Sequence, residues 1–437
     1  MPVKRWRIFV FLFTLTSINY IDRVALSVAA KPLSEAFHIG TVEMGYLFSS
    51  FIWGYFACLI LWGLAADRWG TRTANAAGMA IFSLATIATG FCWNFSSVLV
   101  SRLVMGAGEA SSFPTGGKII REWIPASERA FAAASLNGGS YAGPAVGAVI
   151  VAAIVSLTGW RGGFIATGLF GFVWLAAWLL IYRKPEEARF LNDQERAFIL
   201  ATRDGARTHL EETSAAGPKI GVLSLLGNLS MWGLLLTQGC TSYSQFLFLT
   251  WLPSYLAAAR HLTIMKTGLF TALPYAVCVV LGVILGRLSD MALDHNSLHK
   301  GRRRLLIVAA LILASVIFAL PFANSIWLIE AIISLSLTGV STAITLNIAL
   351  TNDLLAEAGQ AGKATGLLIT GGAFFAILAP IVTGYIVAFT GSFSSAFVLA
   401  GVILFIGMVS CLTLTRGGIA DPRQAGRSRL ADRQARA

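Results

Sequence analysis

Charge is scarce in this sequence. Only 12% of its 437 residues are Asp, Glu, Lys or Arg, about half the roughly 25% of an ordinary soluble domain, and too few to cover a water-facing surface. Cysteine is scarce as well: Cys58, Cys92, Cys240, Cys278 and Cys411 all fall inside apolar runs and show no paired spacing. That excludes a disulfide framework or a cysteine metal site, and small buried thiols are the expectation. Long polar stretches are missing too. At about 150 residues per domain the length would suggest roughly three soluble domains. Apolar runs long enough to span a bilayer core, about 20 residues, recur along almost the whole chain and leave no room for them.

What the sequence has is apolar length, with 56% hydrophobic residues. Runs poor in charge lie at about 8–30, 43–65, 74–93, 97–118, 131–157 and 161–182. After a polar interval, others lie near 230–257, 267–291, 304–322, 326–351, 364–388 and 393–415. They read as helices, because a lipid-exposed span must satisfy its own backbone hydrogen bonds and these runs lack the alternation of a barrel strand. The expected fold is therefore an all-α integral membrane protein with twelve transmembrane helices in two six-helix bundles. The bundles are 1–182 and 230–416, with a cytoplasmic linker at 183–229 and a basic cytoplasmic tail at 417–437. In the linker, Asn192 followed by Glu195 has the form of a helix start, running through Arg196, Phe198 and Ile199. The first run follows Lys4, Arg5 and Arg7 as a signal peptide would. It carries Asp22 and Arg23 and lacks a cleavage site, so it is expected to stay as span one.

Basic residues set the orientation. With both termini cytoplasmic, Lys31, Arg161, Arg260 and Lys266 lie outside, Arg23 and Arg102 lie within spans, and the rest of the 33 are cytoplasmic. The reverse topology violates the positive-inside bias, so a multi-pass protein of the inner (plasma) membrane is expected. The same sorting accounts for the net charge of +12 without nucleic acid. The densest basic run, Lys300, Arg302, Arg303 and Arg304, abuts a span and suits lipid phosphate or topology. Pro114-Thr-Gly-Gly117-Lys118-Ile119 is not a phosphate loop, because Ser112 and Ile119 stand where Gly and Ser or Thr are required. No cofactor, ATP-driven pump or enzymatic site is expected. His295 and His299, in a basic loop beside Asp290 and Asp294, read as a solvated turn rather than a metal site. Asn94-Phe-Ser96 fits a glycosylation acceptor on the outer face.

The two halves repeat one plan. Gly63 and Asp67 close span two as Gly286 and Asp290 close span eight. Gly138-Gly139 with Thr158-Gly159 matches Gly371-Gly372 with Thr390-Gly391 at offsets of 233 and 232. Such repeats place a binding site near the midplane between halves and permit alternating access by rocking. Gly63-Leu-Ala-Ala-Asp67-Arg68-Trp-Gly70-Thr-Arg72 joins spans two and three on the cytoplasmic side. In it, Gly63 and Gly70 permit close helix approach. Asp67, flanked by Arg68 and Arg72, can accept from a helix N-terminus or pair with an Arg, a contact that breaks when the halves rock. This stretch resembles the signature loop of the major facilitator superfamily, and the twelve spans in two halves extend the resemblance over nearly the whole chain.

Four charges lie inside spans: Asp22 and Arg23 in the first, Arg102 and Glu109 in the fourth. Glu330 falls near the outer interface. Each intramembrane charge costs about 2.5–3.5 kcal/mol on insertion scales and is a functional hypothesis by default. Asp22 and Arg102 sit at similar depths and could pair, and Glu109 lies two turns further along the face of Arg102. Burial opposes the charge of such a carboxylate and a nearby guanidinium favours it, so movement of one Arg can load or release a proton. Asn19-Tyr20-Ile-Asp22-Arg23, Arg102 with Gly106-Ala-Gly108-Glu109, and Phe248-Leu-Thr-Trp251-Leu-Pro253-Ser-Tyr255 resemble the anion:cation symporter family of that superfamily. The resemblance implies proton-coupled uptake of a small organic anion such as a sugar acid or an aromatic or aliphatic carboxylate. Asp22 and Glu109 would then be proton-linked, Arg23 or Arg102 would meet the substrate carboxylate, and Tyr20 and Tyr55 would add hydroxyl donors. Span eleven departs from the pattern: it reads Ile369 and Ala373, followed by Phe374 and Phe375, where sugar-acid members are expected to carry Asn at one or both of positions 369 and 373. That points to a less hydroxylated acid. The partners implied are the anion, protons and the lipid bilayer, with the protein working as a monomer.

Two other readings stand beside this one. Gly139-Ser-Tyr-Ala-Gly143-Pro144-Ala-Val-Gly147-Ala148 resembles a span-five motif of proton-linked efflux antiporters, and its alternative reading is a small-residue packing face. A non-transporting membrane sensor is disfavoured by the short tail and the lack of a signalling domain.

Overall fold

The computed structural model describes residues 4–125, 128–188, 190–203, 222–260, 262–292, 301–355 and 361–419. His295, His299, the middle of the linker and most of the tail lie outside these. Helix α1 is Trp6–Val28, α2 Ala30–Phe37, α3 Thr41–Thr89, α4 Phe95–Glu109, α5 Ser112–Trp123 and α6 Arg129–Ile181. The second half contains α7 Leu229–Arg260, α8 Ile264–Ala292, α9 Arg302–Ala314, α10 Ile326–Leu354, α11 Ala361–Thr390 and α12 Ser394–Leu414. A 3-10 segment, Ser315–Phe322, continues α9.

Each of the twelve predicted runs is mostly helical. Spans two and three share α3, and spans five and six share α6. The bends that separate them have one cause. Gly70 (φ 80°, ψ 160°) and Gly159 (φ 75°, ψ 176°) adopt a backbone region that a side chain would strain. Thr158-Gly159 thus marks a reversal between spans, and its repeat partner Gly391 also has positive φ, at 66°. Eight described helices are long and apolar enough to cross a membrane. The others are explained by their sequences: span four is broken into α4 and α5 around Ala110 and Ser111, and α7 is diluted by Gln238, Gln245 and a run of Thr and Ser. α1 has no Gly or Pro, whereas Pro144, Pro253, Pro274 and Pro380 sit inside α6, α7, α8 and α11. Large apolar side chains such as Leu157, Phe389 and Met291 are exposed, as lipid-facing residues should be.

Packing divides the chain into two compact units. The first comprises Met1–His209 with Leu247–Val279 and Ala379–Phe393. In it, α1 lies on α6 along a stripe of small residues. Cβ atoms at Gly139, Gly143 and Gly147 would strike Phe13 and Thr16, then Ser17 and Tyr20, then Ile21. The span-five motif is therefore a packing face in this structure. α3 and α4 are equally close at Gly54 and Gly106. The second unit comprises Leu210–Phe246, Val280–Leu378 and Ser394–Ala437. There α9 and α10 meet where Gly339 abuts Ala310 and Ala314.

In the first unit, a helix over 193–203 starts at Asn192, whose Oδ1 accepts from the Glu195 amide at 2.7 Å. Instead of turning back on its own helix, the Glu195 carboxylate accepts the Lys4 and Arg5 amides, both at 3.2 Å, and so caps α1. Asn94 also acts as a cap. Its Oδ1 accepts from the Ser97 amide at 2.8 Å at the start of α4, the structural reason for an Asn at the acceptor-like tripeptide. The five cysteines are free thiols, four buried and Cys58 half-buried.

Candidate functional site

The four intramembrane charges come together inside the first unit. Asp22, Arg102 and Glu109 are each 1% exposed and Arg23 is 7% exposed. The pairing differs from the expectation based on depth. Arg23 Nη2 donates to Glu109 Oε1 in a short, buried ion pair, while Asp22 and Arg102 make no ion pair. Gly139, Gly143 and Gly147 let α1 lie close on α6, and Arg23 of α1 meets Glu109 of α4.

Aromatic rings box the Arg23 guanidinium. Its Cζ lies 4.2 Å from the centre of the Tyr20 ring, 4.7 Å from Phe51 and 5.9 Å from Tyr55. The two tyrosines expected to offer hydroxyls therefore meet Arg23 with their ring faces, an arrangement that stabilises a desolvated cation. Glu109 Oε2 has no hydrogen-bond partner.

The second pair of charges is open. Neither Asp22 oxygen meets a donor. Thr86 and Thr167 flank it, but their hydroxyls donate to the helix carbonyls of Phe82 and Phe164, at 3.0 and 3.2 Å. Arg102 donates Nη1 to Met105 Sδ at 3.0 Å and leaves Nε without a partner, with the Phe51 ring 5.5 Å away. A thioether is a weak acceptor, so most of this guanidinium's donor capacity is unspent. Around the charges, Asn19 Nδ2 donates to Ser112 Oγ at 2.9 Å and ties α1 to the start of α5.

The loop between spans two and three forms a second candidate region. Asp67 accepts from Lys118 Nζ at 2.9 Å, and the same ammonium reaches the Ala66 carbonyl at 2.8 Å. The partner is a Lys on α5, neither a helix terminus nor an Arg, and the stretch that failed as a phosphate loop supplies it. Arg68 is exposed. Arg72 Nη2 donates to the Leu179 carbonyl at 2.6 Å, and Trp178 Nε1 donates to the Arg72 carbonyl at 3.1 Å. Thr71 bonds Glu122 and Tyr182, at 3.1 and 3.0 Å. The close approach expected at Gly63 is not made: no atom lies within 4 Å of where its Cβ would stand.

In the second unit, Ile369 and Phe374 of α11 are exposed and Phe375 packs over Gly239. The amides missing from α11 occur elsewhere. Asn347 Nδ2 of α10 donates to Gln238 Oε1 and to the Leu234 carbonyl of α7, both at 3.1 Å. Sequence inspection passed over this buried pair because an uncharged amide in an apolar helix does not stand out as a charge does.

The family model of the Major Facilitator Superfamily matches residues 12–361 and 298–435. The chain belongs to the major facilitator superfamily. This superfamily member is 32% identical over 422 residues to the probable galactarate/D-glucarate transporter GudP of Bacillus subtilis, covering 94% of this chain and 91% of the relative. It is 32% identical over 398 residues to the probable sulfoacetate transporter SauU of Cupriavidus necator, covering 90% of each. Its fold matches the crystal structure of a bacterial homologue of the human lysosomal transporter Spinster in an inward-facing, occupied conformation. The TM-score is 0.73 at 18% identity, covering 96% of this chain and 98% of that one. The protein is a multi-pass membrane transporter of this superfamily, as the signature loop and the twelve runs implied.

Proposed function

We propose that this transporter takes up a small organic anion together with protons, by alternating access of the bundles 1–182 and 230–416. The observation that carries the reading is the buried Arg23–Glu109 ion pair beside an Asp22 that has no partner.

A substrate carboxylate competes with Glu109 for the Arg23 guanidinium, whose planar fork suits a carboxylate better than a point charge does. Once displaced, Glu109 is a buried carboxylate without a cation, an unfavourable state that taking up a proton relieves. Anion arrival and proton uptake are then linked by exchange at one guanidinium. Asp22 and Arg102 form the second stage: Asp22 carries a proton while unpaired and yields it when Arg102 moves into contact. Asp67, Lys118, Arg68 and Arg72 act at the cytoplasmic ends, where the Asp67–Lys118 contact is made or broken as the conformation changes.

The relatives and the composition of α11 support the substrate class. Galactarate, D-glucarate and sulfoacetate all offer an anionic head to Arg23. The apolar Ile369, Ala373 and Phe374 favour the less hydroxylated acids among such anions. Uptake into proteoliposomes of galactarate, D-glucarate or sulfoacetate tests this reading. An imposed gradient, acidic outside, should drive accumulation of at least one of them, and uptake of that anion that ignored the gradient would remove the coupling.

A further inference from the structure

α10 holds a carboxyl group that the Asp22–Glu109 scheme does not use. Glu330 stands four residues after Ile326, the first residue of α10, and is 2% exposed. Neither carboxyl oxygen meets a hydrogen-bond donor.

Among the described residues, no cation pairs with Glu330 and no charged group is recorded acting on it. α10 packs against α9 and the 3-10 segment, which in turn meet α12. From Leu305 through Ile329 there is no titratable side chain, and α12 has only Cys411, near its opposite end. Arg302, Arg303 and Arg304 lie at the start of α9, away from the 3-10 segment. Asp353, the other acid of α10, lies at that helix's far end and pairs with Arg303. α7 meets α10 through Gln238 and Asn347, and between Leu229 and Phe246 it carries no charged residue.

A carboxylate charge without a cation or a donor is strongly disfavoured in such surroundings, so the uncharged acid is the form that this packing accommodates. Water is nevertheless close. Four residues of helix rise only about 6 Å, and Asn324, Ser325, Trp327 and Leu328 are exposed just ahead of Glu330. Helix side chains lean toward the N-terminus, so the carboxyl is directed at the first turn of α10, where Ser325 makes no side-chain cap. The facing 3-10 segment has weaker hydrogen-bond geometry than an α-helix and is a natural place to yield. Opening there would wet the carboxyl and supply unpaired backbone N–H groups to its charged form.

We propose that Glu330 is a second proton-binding site of the transporter, protonated in this conformation and releasing its proton when water reaches the first turn of α10. The proposal goes beyond the Asp22–Glu109 reading and does not depend on which anion is carried. Infrared spectroscopy of the purified full chain, which resolves the carbonyl stretch of a protonated carboxyl, tests it. The wild type should show such absorption at neutral pH, with one component that disappears in Glu330→Gln and survives in both Asp22→Asn and Glu109→Gln. A band unchanged in Glu330→Gln overturns the proposal, whatever the outcome for coupling at Glu109. In proteoliposomes, the Glu330→Gln variant should transport with a flatter dependence on pH than the wild type. Loss of the band with an unaltered pH profile shows a buried acid that never releases its proton, and overturns the release step. The Gln side chain mimics the neutral acid, so thermal melting should stay near the wild type; if it falls, Glu330→Asp gives the same readout as a shifted band.

Discussion

Arg23 and Glu109 form an ion pair across α1 and α4 that is sealed from water, with Arg23 boxed by Tyr20, Phe51 and Tyr55. A buried pair of this kind is weak evidence for stability, since desolvation offsets most of the attraction. Removing one member is different, because it strands a buried charge. Glu109→Ala is therefore expected to destabilise the protein by about 3–5 kcal/mol, and Glu109→Gln by less, because an amide still accepts from the guanidinium. Thermal melting of the two variants in detergent checks the order.

If Arg23 receives the anion, its geometry matters more than its charge. Arg23→Lys keeps the cation and loses the planar fork. With charge-assisted hydrogen bonds contributing about 1.5–3 kcal/mol, anion affinity should fall on the order of tenfold or more. Ligand-induced thermal shift measures this, since a ligand bound only to the folded state raises its apparent stability. An unchanged shift in Arg23→Lys would assign the anion to Arg102.

The Asp67–Lys118 contact is part-exposed, with the Asp67 side chain 76% exposed. Exposed pairs contribute about 0.2–1 kcal/mol, so Asp67→Asn should leave the melting temperature almost unchanged. If the contact is made and broken in each cycle, its loss acts on rate instead, and the transport rate should drop severalfold. Equal loss of rate and of folded protein would make Asp67 a folding residue.

The cluster of Arg5, Glu128 and Glu195 at the start of α1 responds to pH in a defined direction. Arg5 donates to Glu128 at 2.6 and 3.0 Å and holds its carboxyl below the ordinary carboxylate range. A group lowered in the folded state stabilises above its unfolded value and loses that contribution as pH falls through the folded one. Glu128 should thus add nothing pH-dependent between about pH 5 and 8, and its share should vanish as the medium is acidified below about pH 4. Because the Glu128 side chain is 35% exposed, the loss should be no more than about 1 kcal/mol. Comparing wild type and Glu128→Gln in pH-dependent melting isolates it.

The spans and the four buried charges were legible in the sequence for one reason: charge inside a 20-residue apolar run has no ordinary explanation. Which charge meets which was not. Depth along a helix follows from the rise per residue, and it placed Asp22 level with Arg102. Rotation about the axis follows from packing, which a sequence does not display; here α1 packs closely on α6 at Gly139, Gly143 and Gly147. The same gap explains Asp67, whose expected partner was a helix end or an Arg and whose actual partner is Lys118 on α5. Gly63 was expected to admit a close neighbour, and the close approaches lie at Gly54 and Gly106 instead. The Asn347–Gln238 pair joins residues more than a hundred positions apart, and neither residue breaks a local pattern strongly enough to be singled out.

Coupling through Glu109 is tested most directly by comparing accumulation with exchange in one preparation. In proteoliposomes with an inward proton gradient, the wild type should concentrate the anion above its outside level and lose that ability when a protonophore is added. Glu109→Gln should exchange labelled for unlabelled anion across the membrane and never accumulate it. Accumulation by Glu109→Gln at the wild-type level would contradict the assignment of Glu109 as the proton-linked carboxylate.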